Sequence, residues 1–410
     1  MSNQQSARPG RNTRRAGAIS HQQKYCVLAA GCWLLMAGTG CAVLEPIKPH
    51  IFHTPLTPVA ELPDDGYRDV TGVIHIHTTY SHDAQGRFED VVRVANAQGL
   101  DYCIVTDHNT LQGLRDGKQG WYGAVLVLIG DEISTQSGHY LALNVHEEID
   151  RTTRTTQQII DEVNRQGGLG FIAHPYFKHG RWRDWTVHGF TGIEGYNVAH
   201  DTLDENTLRL ALWTLTVPAE PFYLSILDRP YDPLSAWDHL IAQHGRVVGI
   251  GSSDAHEFHI LGVKFAPYED MFQLARTHLL VPAASTLTDT LVYDALRQGH
   301  AYFSIDLVAN AGGFRFDARK GKRILGVMGD AVPFSDGLEL IAVLPAAAQL
   351  ALYKDGVQIA TTIGQSWIIP VTAPGVYRLE AARNNKPWIF SNPIYVEAAI
   401  SSQQTADSTE

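Results

Sequence analysis

Nineteen histidines are spread along 410 residues, and several stand beside acids directly after apolar, strand-like runs. They are His75-Ile76-His77, then His82, Thr106-Asp107-His108, Asp131-Glu132, His139, Ala173-His174-Pro175 and Ser253-Asp254-Ala255-His256. Imidazole nitrogens and carboxylate oxygens are the ligands of catalytic divalent metals. On a strand, alternate residues share a face, so His75 and His77 could both point into one pocket. Alone, that pair could equally be solvated. Asp107 and Glu132 end buried runs, where an uncompensated charge is costly. A carboxylate at Glu132 could bridge two metals, and Asp254 and His256 repeat the alternate spacing of the first pair. Metal-assisted hydrolysis is the chemistry this set suggests.

The elements that must position these residues alternate. Strands are expected at 70–77, 102–106, 124–129, 140–145, 169–173, 192–196 and 247–251. Helices are expected at 87–98, 155–166, 204–215 and 234–244. Strands alternating with helices imply parallel pairing, with chemistry at the C-terminal strand ends. His139 is the exception, since it precedes its strand, and an antiparallel stretch there would fit. After about residue 310 the pattern becomes short strands between turns, at 338–344, 350–353, 357–361, 366–371, 375–381 and 392–396. That reads as a small all-β, sandwich-like accessory module.

The ends of the chain carry a different signal. Five of the 32 basic residues, Arg8, Arg11, Arg14, Arg15 and Lys24, fall in the first 44 positions with no acid. The rest keeps 27 bases against 43 acids, a body that repels polyanions and argues against nucleic-acid binding. The basic start is followed by an apolar stretch from Tyr25 to Gly40 and by Ala37-Gly38-Thr39-Gly40-Cys41, which resembles a bacterial lipoprotein cleavage site. The expectation is an export segment at 1–41 with Cys41 as the lipid-bearing residue, and a periplasmic or envelope location. A proline-rich tether is expected at 42–68 and a disordered tail at 399–410. Cys103 lies within a buried strand, and no disulfide framework is implied.

Other catalytic schemes fit poorly. Gly249-Ile250-Gly251-Ser252-Ser253 has no serine centred between the right glycines for a nucleophile elbow, and no phosphate-cradling loop ends in Lys-Ser or Lys-Thr.

Taken together, His75-Ile-His77-Thr-Thr-Tyr-Ser-His82-Asp, Thr-Asp107-His108, Glu132-Ile-Ser, His139, Ala-His174-Pro and Ser-Asp254-Ala-His256 resemble the ordered motifs of the polymerase and histidinol phosphatase (PHP) superfamily. Gly192-Ile-Glu-Gly-Tyr-Asn197, the export signal and the β module resemble its carbaryl-hydrolase-like branch. The resemblance implies a distorted seven-stranded, TIM-like β/α barrel over 69–309, followed by the β-sandwich-like domain at 310–398. It implies two or three divalent transition metals, manganese, iron or zinc. His75, His77, Glu132 and Asp254 would hold one. Glu132, His139 and His174 would hold a second, and His82, His108 and His256 a third. Many relatives have aspartate where this chain has His82, which removes a negative charge.

In that centre Glu132 and Asp254 are the reactive-site carboxylates, and Asp107 orients a histidine ligand. Asp83 is a second candidate for that orienting role. Lys178 and Arg181, with His179 and Arg183, follow Ala-His-Pro and could bind an anionic substrate. Equally, Trp182 and Trp185 could pack while those charges stay solvated. His200 is a weaker candidate. The expected activity is a phosphoesterase acting on a small, anionic molecule. A carboxylic ester, carbamate or amide hydrolase with the same cluster is the alternative. A non-catalytic, metal-containing envelope binding protein is the other.

Overall fold

The structure is a computed structural model that describes residues 65–178, 180–198, 219–260 and 263–398. The expected export segment, Cys41, most of the tether, the helix at 204–215, His179, His200 and the tail lie outside the described residues.

The first strand, β1 (Tyr67–Ile76), pairs in parallel with β2 (Tyr102–Val105). Between them lies helix α1 (Phe88–Ala97), which buries Phe88, Val91, Val94 and Ala95. A short helix, α2 (Gln112–Arg115), and the strand β3 (Gly120–Tyr122) lead to β4 (Val125–Ile129), again parallel to β2. All five residues of β4 are buried, because its two faces are covered by separate cores, as a parallel strand requires.

After Gly130 the chain enters a second sheet. β5 (Asp131–Ser134) and β6 (His139–Leu143) form an antiparallel hairpin, and β6 pairs antiparallel with β7 (Leu169–Ile172). Helix α3 (Thr156–Arg165) precedes β7. Thr155 and Gln158 cap it reciprocally, and Ile159, Ile160 and Val163 form its buried stripe. β8 (Gly192–Asn197) is parallel to β7. Helices α4 (Ala219–Ile226) and α5 (Tyr231–His244) then lead to β9 (Val248–Ser252), parallel to β8.

Beyond the small hairpin of β10 (Phe258–Ile260) and β11 (Val263–Phe265), α6 (Tyr268–Leu274) precedes β12 (Arg276–Pro282). β12 returns antiparallel to β1. Helix α7 (Asp289–Gln298) connects it to β13 (Ala301–Ser304), antiparallel to β12. These last elements were not anticipated from sequence.

A closed seven-stranded ring was expected, but the described residues form two large sheets, of 14 and five strands, besides the β10–β11 hairpin. The sheets meet through isolated bridges, Ile76 to Ala255 and His108 to Glu132. Their inner faces share one core, with Ile74, Ile104 and Leu128 from the first and Leu141, Phe171 and Ile250 from the second. The architecture is mixed α/β.

The C-terminal strands are β14 (Arg315–Lys320), β15 (Arg323–Val327), β16 (Ala331–Pro333), β17 (Leu338–Lys354), β18 (Val357–Pro370), β19 (Gly375–Arg383), β20 (Lys386–Ser391) and β21 (Ile394–Glu397). β20 pairs antiparallel with β13, so these strands extend the first sheet. Two expected breaks are absent. β17 and β18 are single long strands whose mutual register shifts between Val343 and Ala348. A bulge absorbs Pro345 where a turn was expected.

Candidate metal centre

The first histidine pair is aimed by a distortion rather than by simple alternation. The pairing of β1 with β2 shifts between Ile74 and Ile76, and His75 between them has φ +66°. His174 and Asp254, each two residues beyond the ends of β7 and β9, also have positive φ, +24° and +49°. Non-glycine residues held in this region are strained, and such strain gathers at functional sites.

The distortions bring side chains from separate strands together. His75 Nε2 lies 3.2 Å from Glu132 Oε2 and 3.4 Å from Asp254 Oδ1. His77 Nε2 lies 3.1 and 3.3 Å from the same two oxygens. These four residues present ligand atoms all within 4.8 Å of one another. Glu132 is fully buried and uses both oxygens. Oε2 also faces His108 Nδ1 at 3.0 Å, while Oε1 faces His139 Nδ1 at 2.8 Å and His174 Nε2 at 2.9 Å. His139 reaches it because β6 runs antiparallel to β5, which places the start of one strand opposite the end of the other.

A third grouping contains His77, His108 and His256. Here the loop after β1 differs from expectation. The His82 side chain is 70% exposed, and its Nε2 is 3.8 Å from Asp83 Oδ2. The Asp83 carboxylate is the group turned inward, 3.3 Å from His108 Nε2 and 3.7 Å from His256 Nε2. His82 and Asp83 lie in a turn, and that turn presents the Asp83 carboxylate to the cluster while the His82 ring faces solvent.

Among the described residues the Asp107 carboxylate pairs with no imidazole. It accepts hydrogen bonds from Thr78 N (2.6 Å), Thr78 Oγ1 (2.8 Å) and Ser81 Oγ (2.7 Å). Ser81 Oγ in turn lies 3.0 Å from His77 Nδ1 and accepts from the His108 amide at 2.9 Å. Asp107 therefore fixes the loop, and through Ser81 it orients a histidine at one remove.

Sequence reasoning missed Glu194 as a site residue. It is buried within β8, and its Oε1 takes a hydrogen bond from His75 Nδ1 at 2.6 Å. Its Oε2 accepts from the His174 amide (2.5 Å) and Asn197 Nδ2 (2.9 Å). A carboxylate beside Nδ1 selects the tautomer that leaves Nε2 free to ligate. The register of β8 against β9 shifts between Glu194 and Tyr196. A Cβ on the intervening Gly195 would stand 2.7 Å from Phe303 Cζ. The signal available in sequence was an acid within a strand that is otherwise apolar or small.

Charge balance follows the geometry. Burial pushes the Glu132 pKa up, but His108, His75 and His139 hold it well below the ordinary carboxylate range. Burial likewise opposes ionisation of Asp254 and Asp83, and the surrounding imidazoles lower both. Burial disfavours the cationic form of His75, yet Glu132, Asp254 and Glu194 raise its pKa well above normal. The same contest takes His108 up to about 11, through Glu132 and Asp83. His256 goes down to about 4 through burial and the nearby His77. The carboxylates thus stay ionised and demand positive charge at the centre.

Several inward atoms are buried without a hydrogen-bond partner: His75 Nε2, His77 Nε2, His108 Nδ1, Glu132 Oε2, Asp83 Oδ1 and His256 Nε2. Buried polar atoms are normally paired. Orphaned imidazole nitrogens and carboxylate oxygens converging on one volume are a donor set that fits divalent cations.

Beside this centre is a cavity of about 400 Å³. Its lining includes His174, Glu194 and Tyr196, together with Arg229, Tyr231 and Asp232. Lys178 and Arg181, expected to contact substrate, do not line it. Both are exposed, and the Arg181 guanidinium sits 5.2 Å from the Tyr176 ring.

Comparison with known proteins gives a family match within this region. Residues 74–197 match the family model of the PHP domain. An uncharacterised protein of Methanocaldococcus jannaschii is 32% identical over 117 residues, covering 25% of this chain and 66% of its own length, just under two thirds. A two-domain protein from Bacteroides vulgatus containing a predicted PHP-like metal-dependent phosphoesterase is 15% identical; the match covers 84% of this chain and 99% of that one, with a TM-score of 0.40. PsfC from Pseudomonas syringae is 14% identical; the match covers 58% of this chain and 91% of that one, with a TM-score of 0.38.

Proposed function

We propose that this chain, which belongs to the PHP superfamily through residues 74–197, is a metal-dependent hydrolase acting as a phosphoesterase. The observation that carries the reading is Glu132, a fully buried carboxylate whose two oxygens face two different sets of imidazoles. That arrangement suits a bridge between cations. His75, His77, Glu132 and Asp254 would hold one, and Glu132, His139 and His174 a second. His108 and His256 would hold a third, with Asp83 as the inward carboxylate. Divalent cations bound there supply Lewis acidity, making water a competent nucleophile near neutral pH and neutralising charge on a phosphoryl oxygen.

The protein's own groups do the positioning. Glu194 holds the His75 ring through Nδ1, and Ser81 holds His77 in the same way. The cavity beside His174 gives room for a leaving group. The acidic body supports a small-molecule substrate over nucleic acid. The N-terminal signal supports export and a lipid anchor at Cys41, testable by palmitate labelling of the wild type against Cys41→Ser.

Metal analysis with a hydrolysis panel tests the activity. Two or three transition metals per chain are expected. Phosphoester hydrolysis should be lost in His75→Ala and Asp254→Asn with the fold kept. Activity confined to carboxyl esters, carbamates or amides would replace the phosphoesterase reading. A folded, metal-loaded protein inert to all of them would leave a binding role.

A further inference from the structure

The lining of the cavity beside the metal centre is drawn from two parts of the chain. One carries His174 and Glu194, which belong to the cluster and its supports. The other is residues 227–233, the connection from α4 into the first turn of α5, which contributes Asp228, Arg229, Tyr231 and Asp232. This second part is fastened to the C-terminal strands. Arg229 makes a two-pronged ion pair with Glu380 of β19, Nε to Oε2 at 2.7 Å and Nη2 to Oε1 at 2.7 Å. Lys386 Nζ of β20 donates to the Leu227 carbonyl at 3.1 Å. The Arg229 guanidinium also sits 5.4 Å from the Tyr353 ring of β17 and 4.7 Å from Tyr231 in its own segment.

Glu380 is shared. Arg378, on the same strand, also donates to it, and Arg378 is held independently by Asp238 of α5 at 2.8 and 2.6 Å. Both ends of this chain of charges are thus on elements that flank the cavity. The Glu380 side chain is 8% exposed, that of Arg378 3% and that of Arg229 23%, so water screens the Glu380–Arg378 end poorly and the Arg229 end more. Among the described residues, Arg229 has no other carboxylate within ion-pair distance. Neutralising Glu380 would leave two guanidinium groups facing each other. Arg378 would keep Asp238, and Arg229 would be driven away, taking Pro230 and Tyr231 with it.

We propose that Glu380 is a positioning residue for substrate selectivity, holding segment 227–233 in the lining of the cavity, so that the C-terminal strands decide which leaving group fits beside the metal centre. This rests on the hydrolase reading above. Glu380 does not line the cavity, and it acts only through Arg229.

The test uses the full chain reconstituted with manganese, comparing wild type, Glu380→Gln and Glu380→Asp. Three quantities are read: KM for 4-methylumbelliferyl phosphate, Ki for inorganic phosphate, and hydrogen exchange of 227–233. Phosphate probes the metal centre alone, whereas the bulky ester also fills the cavity. Glu380→Gln should raise KM about tenfold, the equivalent of about 1.4 kcal/mol. It should leave Ki for phosphate unchanged and speed exchange in 227–233, and Glu380→Asp should restore part of each. Equal rises in KM and Ki would mean a general loosening of the centre and overturn the proposal, as would unchanged KM and exchange. A wild type inert to every ester sinks the hydrolase reading instead. Exchange then decides the tether by itself: faster exchange supports it and no change overturns it.

Discussion

Glu194 Oε1 lies 2.6 Å from His75 Nδ1, and both side chains are fully buried. The carboxylate comes from β8 and the imidazole from the distorted end of β1, 119 residues apart. With Nδ1 engaged, the Nε2 of His75 is free to face Glu132 and Asp254.

Glu194→Gln should therefore weaken metal binding by roughly 10- to 100-fold, the usual effect of losing a ligand's supporting carboxylate. Metal titration by calorimetry measures it. Activity should fall in step with metal content and recover partly with excess metal. Unchanged affinity would mean that Glu194 only packs β8.

Asp83 and His82 should separate cleanly. Asp83→Asn should lower metal stoichiometry or the affinity of the weakest site, because it removes the inward carboxylate beside His108 and His256. His82→Ala should change neither, since that ring is largely in solvent. Elemental analysis of the two variants decides between them, and the reverse result would restore His82 as the ligand.

Ser81 links Asp107 to His77, so their removal should not be additive. Ser81→Ala and Asp107→Asn should each reduce metal affinity, and the double variant should be little worse than Asp107→Asn. Additive losses in a double-mutant cycle would show that the two act separately.

A pH-dependent contribution to stability should come from the far end of β1. His278 is buried, with Nδ1 3.0 Å from Asp69 Oδ1 and Nε2 3.7 Å from Asp306 Oδ1. Burial disfavours its charge, but the two carboxylates outweigh that and raise its pKa to about 9. The unfolded value is about 6.5, so the stabilisation is complete below that pH and is lost as pH rises through about 9. Urea unfolding of wild type against His278→Gln should show a gap of about 3 kcal/mol at pH 6 that shrinks by pH 9.5. A gap independent of pH would mean that His278 is neutral in the folded protein.

Much of this was readable from residue types. Strand-ending His and Asp motifs marked the residues that converge, because strand ends are where an α/β architecture collects its loops. The helices at 87–98 and 155–166 were legible from apolar spacing and terminators, and β1, β2, β4 and β7 from their apolar runs. The long C-terminal strands were not. The expected strands left gaps at 345–349 and 362–365, yet β17 and β18 run on through both, with a register shift between Val343 and Ala348. β12 and β13, which tie the metal-bearing strands to the C-terminal ones, were passed over entirely.

By itself the sequence determined the donor types: imidazoles and carboxylates placed where strands end, in an acidic body without a nucleophile elbow or phosphate loop. Only the tertiary structure decided which donors face inward. Side-chain direction at His75 depends on a bulge against β2, and the choice between His82 and Asp83 depends on how one loop turns. The roles of Glu194 and Glu380 depend on partners more than a hundred residues away. Local propensity carries no information about such convergence, because it is fixed by packing between elements rather than within them.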